Sequence, residues 1–159
     1  MVLESLSAIP PQDSVIDIIE VTDSTDLEDF MTVFSAVFDV PKEYLGPDSS
    51  NTNGTDDEAR TAFVGYLDDQ PVATGSLFRS ETVAGVFGIA VVEAVRGRGI
   101  GEAMTWEVLR AGRDAGCRIG ALQSTEMAIP LYEKLGFETV ETYHFFESTT
   151  VGSSHRVSR

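Results

Sequence analysis

The stretch VVEAVRGRGIGEAMTWEVLRAGRDAG, from Val91 to Gly116, contains the end of an apolar strand, a glycine-rich turn and a helix. The residues over 83–92 are apolar and partly β-branched, which is typical of a buried strand. The turn over 96–101 alternates arginine with glycine, and helix-forming residues follow over 102–115. The stretch therefore predicts a strand, a tight turn and a helix in direct succession.

The glycine-rich turn predicts a cradle for a phosphate or pyrophosphate. Gly97, Gly99 and Gly101 allow the backbone to fold back so that successive N–H groups point into one hollow. The helix N-terminus behind them adds partial positive charge, and Arg96 and Arg98 add formal charge at the rim. The alternative is a glycine-rich turn with two solvated arginines, which leaves the entropic cost of the glycines unexplained.

The spacing of the glycines excludes two common nucleotide-binding motifs. The dinucleotide fingerprint G-x-G-x-x-G would need glycine at position 102 or 104, where the chain has Glu102 and Met104. A P-loop ends in Gly-Lys followed by Ser or Thr, and the sequence contains no Gly-Lys pair. The cradle therefore belongs to a different class of phosphate-binding turn.

Two segments of the chain resemble the GNAT superfamily of N-acetyltransferases. The turn R-G-R-G-I-G, which follows Ile89-Ala90-Val91, resembles the acyl-CoA motif of that family, usually written Q/R-x-x-G-x-G/A. The segment AIPLYEKLGF over 128–137 is similar to the family's A-x-x-L-Y-E-K-L-G-F segment. The two motifs occur in the family's order, and the resemblance extends over residues 83–146.

The fold expected for the chain is a single α/β domain with a mixed sheet. Apolar runs and capping residues predict elements in the order β-α-β-β-β-α-β-α-β, which is consistent with the GNAT acyltransferase fold. The predicted elements are a strand over 15–21, a helix over 26–38, a hairpin of strands over 60–67 and 72–78, the central strand over 83–92, the helix over 102–115, a strand over 118–123, a helix that ends at Gly136 and a final strand over 143–146.

The resemblance implies that acetyl-CoA is the co-substrate. In the family the central strand and its neighbour splay apart at their C-terminal ends, and the pantetheine arm lies in the gap. Many relatives have asparagine where this chain has Thr125, which keeps a hydroxyl but lacks the amide. The residues expected at the acetyl-CoA site are Ile89, Ala90, Val91, Arg96, Gly97, Arg98, Gly99, Ile100, Gly101, Glu102 and Thr125.

The chemistry implied by the resemblance is direct acetyl transfer to a primary amine, without a covalent acyl-enzyme. The sequence alone favours Tyr132 as a core aromatic residue whose hydroxyl reaches solvent, but the resemblance reverses this preference, because Tyr132 matches the family's proton donor to the departing thiolate. Backbone N–H groups around Val91 could bind the thioester oxygen. Certain relatives have a base-supplying glutamate where this chain has Gly85. The remaining candidates for the base are a water relay, Glu81, Glu126 and His144.

Length and composition indicate one globular domain of 159 residues, 42% of them hydrophobic. We expect an extended or disordered lead-in over 1–14, the acetyltransferase-like domain over 15–146 and a flexible tail over 147–159. No apolar run is long enough to cross a membrane, and a single cysteine, Cys117, fits a reducing cytoplasm. Two histidines and one cysteine make a metal site unexpected.

The charge balance is strongly acidic, with 26 carboxylates, 11 bases and a net charge of −15. Such a surface repels nucleic acid and anionic lipid. Two explanations stay open, which are attraction of a cationic small-molecule or peptide amine and adaptation to a high-salt cytoplasm. The scarcity of lysine favours the second explanation. The acidic segment over 46–58 predicts a surface loop with a possible share in substrate capture.

Two functions from different classes agree with these observations. The first is an acetyl-CoA-dependent N-acetyltransferase, which the presence of Tyr132 favours. The second is a catalytically silent CoA-binding domain with a regulatory or partner-binding role, which the absence of a clear base favours. A homodimer is compatible with either function.

Overall fold

The structure is a computed structural model that describes residues 1–11, 14–42 and 59–144. Within these ranges it contains six strands, which are β1 (Val2–Leu3), β2 (Asp17–Glu20), β3 (Arg60–Leu67), β4 (Gln70–Arg79), β5 (Val83–Val91) and β6 (Ile119–Leu122). The α-helices of the same ranges are α1 (Ser24–Phe38), α2 (Ile100–Asp114) and α3 (Ile129–Lys134). The strands form one sheet in the order β1-β6-β5-β4-β3-β2, antiparallel except for the parallel pair of β5 and β6. The predicted mixed α/β fold is confirmed.

The predicted hairpin of β3 and β4 is present, with a tighter turn than expected. Leu67 pairs with Gln70, so Asp68 and Asp69 alone connect the two strands. Both aspartates have positive φ, at 50° and 60°. A two-residue turn with two left-handed residues matches the right-handed twist of a hairpin, and aspartate tolerates this conformation better than most residues.

Helix α1 begins where its capping residues predict. The Asp23 carboxylate accepts hydrogen bonds from the backbone N–H groups of Thr25 and Asp26, at 2.8 and 3.0 Å. The helix ends at Phe38, because the next residue, Asp39, adopts a left-handed conformation with φ of 53°. The carboxylate cap places the start of the helix two residues before the predicted start at 26.

The sheet packs one helix on each face. Ala62 and Val64 of β3 pack with Phe30 of α1, whereas Phe63 between them joins the cluster that contains α2. Alternation of side chains along a strand explains this division. Helix α2 lies very close to β5, since a Cβ built on Gly112 would lie 2.5 Å from the Ala84 Cβ. This contact fixes the height of α2 above the central strand.

The N-terminal residues are part of the domain, which corrects the predicted lead-in over 1–14. Val2 and Leu3 pair with Ala121 and Gly120 of β6, and the Leu6 side chain is only 1% exposed. The prediction relied on the Pro-Pro pair and overlooked the apolar residues before it. These residues cover the edge of β6, which would otherwise leave unpaired backbone groups.

The C-terminal prediction is corrected in part. Tyr143 and His144 lie in no strand, so the described residues end the element order after α3. The rest of the expected final strand, residues 145–146, lies outside the described residues. The tail over 147–159 and the acidic segment over 46–58 also lie outside them.

The net charge of −15 predicts that the domain becomes more stable as salt rises. The screening length is about 30 Å at 0.01 M salt and about 3 Å at 1 M, so carboxylate repulsion largely vanishes across this range. We expect the melting temperature to rise by several degrees between these concentrations of KCl. Sodium chloride should give the same rise if screening is the cause, and a flat melting temperature would contradict adaptation to high salt.

Candidate active site

Strands β5 and β6 separate at their C-terminal ends. They pair in parallel only from Val83 with Ile119 to Val86 with Leu122, although β5 continues to Val91. The gap opens into a cavity of about 780 Å³, here called the splay cavity, between the end of β5, the start of α2 and helix α3. The splay that the resemblance implied is therefore present.

A β-bulge bends β5 where its pairing with β6 stops. Thr74 of β4 pairs with Ala90 of β5, and Ser76 pairs with Phe87. One residue, Gly75, lies between the two on β4, whereas two residues, Gly88 and Ile89, lie between their partners on β5. Gly88 has φ of 59°, and its carbonyl accepts a hydrogen bond from the Thr74 hydroxyl at 2.9 Å. Because a bulge inserts an extra residue and increases local twist, it turns the end of β5 away from β6.

The Thr74 hydroxyl is expected to stabilise the bulge measurably, because this side chain is completely buried. We expect Thr74→Val to lower the free energy of unfolding by about 1–3 kcal/mol, since the Gly88 carbonyl then lacks its partner. Thr74→Ser is the matched control, because it keeps the hydroxyl and should retain most of the stability. Equal losses for valine and serine in chemical denaturation would contradict a role for the hydrogen bond.

The glycine cradle has the backbone geometry that its sequence predicts. Gly97 and Gly99 have φ of 76° and 80°, in the left-handed region, and Gly99 is the N-cap of α2. The first intrahelical bond joins the Ala103 N–H to the Gly99 carbonyl. The N–H groups of the preceding residues in the first helical turn thus have no partner within the helix and suit an anion.

The charged residues at the rim of the cradle differ in their environment. Arg96 folds back onto the end of β5, where its Nε donates to the Val91 carbonyl at 3.0 Å. Arg98 is exposed and does not line the splay cavity. Lys134 was not predicted but lines the cavity and pairs with Glu102 at 2.7 Å. The structure therefore places Arg96 and Lys134 at the cavity that Arg98 was expected to border.

Tyr132 lies on α3 and lines the splay cavity, although its side chain is only 6% exposed. Its ring packs edge-on against Phe137, with the centroids 5.8 Å apart. Burial raises the pKa of the Tyr132 phenol above its ordinary value of about 10, and a hydrogen bond with Thr105 partly offsets this rise. The phenol is therefore protonated at neutral pH and available as a proton donor.

Thr105 connects Tyr132 to the cradle and was not singled out from the sequence. Its side chain is completely buried on α2, and its hydroxyl donates to the Gly101 carbonyl at 2.8 Å. The same side chain lies beside the Tyr132 phenol, whose pKa it lowers. Nothing in the sequence around Thr105 distinguishes it from other residues of a helix. Its position between Gly101 and Tyr132 could therefore not be predicted.

The structure brings most of the predicted acetyl-CoA residues to one cavity and separates two of them. Ala90 is 1% exposed and, like Arg98, is not among the residues that line the splay cavity. The predicted residues that do line the cavity are Ile89, Val91, Arg96, Gly97, Gly99, Ile100, Gly101, Glu102, Thr125 and Tyr132.

None of the three candidate bases lines the splay cavity. Glu126 and His144 line a different cavity of about 560 Å³, together with Gly85 and Glu141, on the sheet edge beside β6. Glu81 is exposed just before β5 and lines neither cavity. The carboxylate in the splay cavity, Glu102, is paired with Lys134. Of the predicted alternatives for the base, the water relay is the one that the described lining of the splay cavity does not oppose.

The described part of the chain has neither a cluster of metal-ligating side chains nor a helix that could span a membrane. No group of three or more histidine, cysteine, aspartate or glutamate side chains in residues 1–11, 14–42 and 59–144 could hold a metal ion. No helix within those ranges is both long enough and apolar enough to span a bilayer.

The fold is of the GNAT acyltransferase type. Its defining features are the splayed β5–β6 pair, the glycine cradle at the start of α2 and the buried tyrosine on α3. The sequence model of the acetyltransferase (GNAT) family matches residues 27–137. This match covers well over half of the chain, and the chain belongs to the acetyltransferase (GNAT) family.

Solved relatives share the fold at low sequence identity, and a curated relative matches a short part of the chain. A glucosamine 6-phosphate N-acetyltransferase of Trypanosoma brucei brucei is 38% identical over 53 residues, which are 33% of this chain and 36% of that protein. The structure of AAC(6')-Iy with the bisubstrate analogue CoA-S-monomethyl-acetylneamine is 20% identical, with a TM-score of 0.69 over 85% of this chain and 99% of that one. Escherichia coli ElaA is 18% identical, with a TM-score of 0.68 over 84% and 94%.

Proposed function

We propose that this chain is an acetyl-CoA-dependent N-acetyltransferase that moves the acetyl group directly to a primary amine. The observation that carries the proposal is the position of the Tyr132 phenol, protonated and buried, in the same cavity as the glycine cradle. The relatives support it, since AAC(6')-Iy was solved with a CoA bisubstrate analogue and the curated relative is an N-acetyltransferase by name.

Each group of residues has one task in this reaction. Cradle residues Gly97 and Gly99 and the N-terminus of α2 hold the pyrophosphate of acetyl-CoA. The amine nitrogen attacks the thioester carbonyl carbon, the carbon–sulfur bond breaks, and Tyr132 donates its proton to the departing sulfur. The new amide nitrogen loses its proton to water, and the phenolate regains one from solvent. No covalent bond to the protein is needed.

The catalytically silent alternative is less well supported by the site. A domain that only binds CoA has no need of a buried phenol with a raised pKa beside the cradle. A direct test measures acetyl-CoA binding by calorimetry and thiol release with a panel of primary amines. Acetyl-CoA binding without thiol release above the background hydrolysis for every amine would support the silent alternative.

The described residues that line the splay cavity include no histidine and no unpaired carboxylate, which predicts a pH profile set by the acceptor. We expect kcat/KM to rise about tenfold per pH unit up to the pKa of the amine, because only the neutral amine attacks. The rise should end near pH 8 for a peptide α-amine and near pH 10 for a lysine side chain. Since the pKa of Tyr132 is raised above 10, its loss of a proton should not lower the rate before that pH.

As a control, both acceptors are measured in the same buffers, and the pH at which each profile levels off is compared. A profile that levels off at one pH for both amines would contradict transfer to water, because it would report a titrating group of the protein.

A further inference from the structure

We infer that the acceptor is a primary amine that joins an aromatic ring to a carboxylate, as an aromatic amino acid does. The inference rests on the proposed function, because it names the substrate class of the same reaction. Its basis is a third cavity of about 460 Å³ between α1 and the sheet, here called the aromatic cavity. This volume is in the range of small-molecule sites.

The aromatic cavity adjoins the splay cavity at the bulge of β5. Phe87 and Gly88 line both cavities, so the two cavities meet at these residues. The Phe34 ring of α1 lies directly over the bulge, since a Cβ built on Gly88 would be 3.0 Å from that ring. An amine that enters from the aromatic cavity therefore approaches the splayed end of β5, beside the gap that the acetyl donor is proposed to occupy.

The lining of this cavity favours a flat apolar group. Phe30 and Phe34 stack with their ring centroids 5.8 Å apart on the side of α1. Phe78 and Phe87 approach from the sheet and are 41% and 51% exposed, which is unusual for phenylalanine. Aromatic rings prefer stacked or edge-to-face partners, and burial of a ring here removes apolar surface on both sides from water.

Arg60 supplies a positive charge to the same cavity. Its guanidinium carbon lies 5.4 Å from the centroid of the Phe78 ring, and no described carboxylate pairs with it. No aspartate or glutamate is among the described residues that line the cavity. In a chain with net charge −15, an arginine at a cavity that pairs with no carboxylate of the described residues is suited to a ligand carboxylate, which it can bind through two N–H groups.

The same lining disfavours the acceptors named for the relatives. Amino sugars and aminoglycosides carry many hydroxyl groups, and these lose hydrogen bonds to water when they are buried against rings. The hydroxyl groups of Thr61 and Ser76 are the polar side chains beside Arg60 that line the aromatic cavity within the described residues. Glucosamine 6-phosphate and neamine are therefore expected to be poor acceptors here.

The test uses phenylalanine and phenethylamine, which share the ring and the primary amine and differ in the carboxylate. Thiol release from acetyl-CoA is measured with each acceptor for the wild-type chain, Arg60→Gln and the control Arg113→Gln, whose arginine pairs with Asp114 at the far end of α2. We expect Arg60→Gln to lower kcat/KM for phenylalanine about tenfold or more and to change phenethylamine less than twofold. Arg113→Gln should change neither.

Three outcomes would overturn the inference. They are an equal effect of Arg60→Gln on both amines, faster acetylation of glucosamine 6-phosphate or neamine than of phenylalanine, and no effect of Arg60→Gln on phenylalanine. Calorimetry with phenylalanine alone separates this inference from the proposed function. Binding that Arg60→Gln weakens, without thiol release from any acceptor, keeps the site and rejects the reaction. Acetylation of other amines without phenylalanine binding rejects the site and keeps the reaction.

Discussion

Gly99→Val is expected to abolish the binding of acetyl-CoA. Gly99 has φ of 80°, and a β-branched residue in the left-handed region is strained. No atom of the chain lies within 4 Å of a Cβ built there, so the expected loss comes from the backbone and not from a clash within the protein. Valine would move the N-cap of α2 and turn its first N–H groups away from a shared hollow. Calorimetry with acetyl-CoA measures the effect.

Gly116→Val is the matched control for this prediction. Gly116 has φ of 97°, and a Cβ built on it also meets no atom within 4 Å, but it lies beyond the opposite end of α2. The two variants should therefore lose similar stability through backbone strain, whereas only Gly99→Val should lose acetyl-CoA affinity. Retained affinity in Gly99→Val would reject the cradle as the pyrophosphate site.

The elements of the fold that have local causes could be predicted from the sequence. Capping residues before α1, the apolar run of β5 and the glycines before α2 each act within a few residues of the structure that they cause. The short strand β1 could not be predicted, because two residues carry no period, and its pairing partner in β6 is more than a hundred residues away. The splay of β5 and β6 depends in the same way on tertiary contacts.

The features of the candidate site also divide into those with local causes, which could be predicted, and those that depend on tertiary contacts. Positive φ at Gly97 and Gly99 follows from the alternation of glycine in the turn, because few other residues adopt it. Ala90 was predicted at the site by resemblance, as part of the strand end Ile89-Ala90-Val91, but its side chain faces away from the splay cavity because neighbours along a strand face opposite sides. The hydroxyl contacts of Thr74 and Thr105 depend on which carbonyl lies nearby after folding, and sequence position does not record this.

Removing the hydroxyl of Tyr132 should lower the rate of the reaction without weakening the binding of acetyl-CoA. Tyr132→Phe keeps the ring against Phe137 and removes only the buried hydroxyl. We expect kcat to fall roughly 10²-fold or more, since general-acid catalysis contributes about 10²–10⁴-fold. The affinity measured by calorimetry should change little, because the cradle holds the pyrophosphate on other residues.

Tyr66→Phe is the control that separates loss of a tyrosine hydroxyl from loss of a proton donor. The Tyr66 hydroxyl donates to the Asp29 carboxylate at 2.8 Å, and burial together with Asp29 raises the pKa of Tyr66. This variant also removes a hydrogen-bonded tyrosine hydroxyl, but Tyr66 does not line the splay cavity. Its kcat should therefore stay within a factor of about two of wild type. If Tyr132→Phe keeps full kcat as well, Tyr132 is a packing residue, and the thiolate must leave without a proton from this side chain.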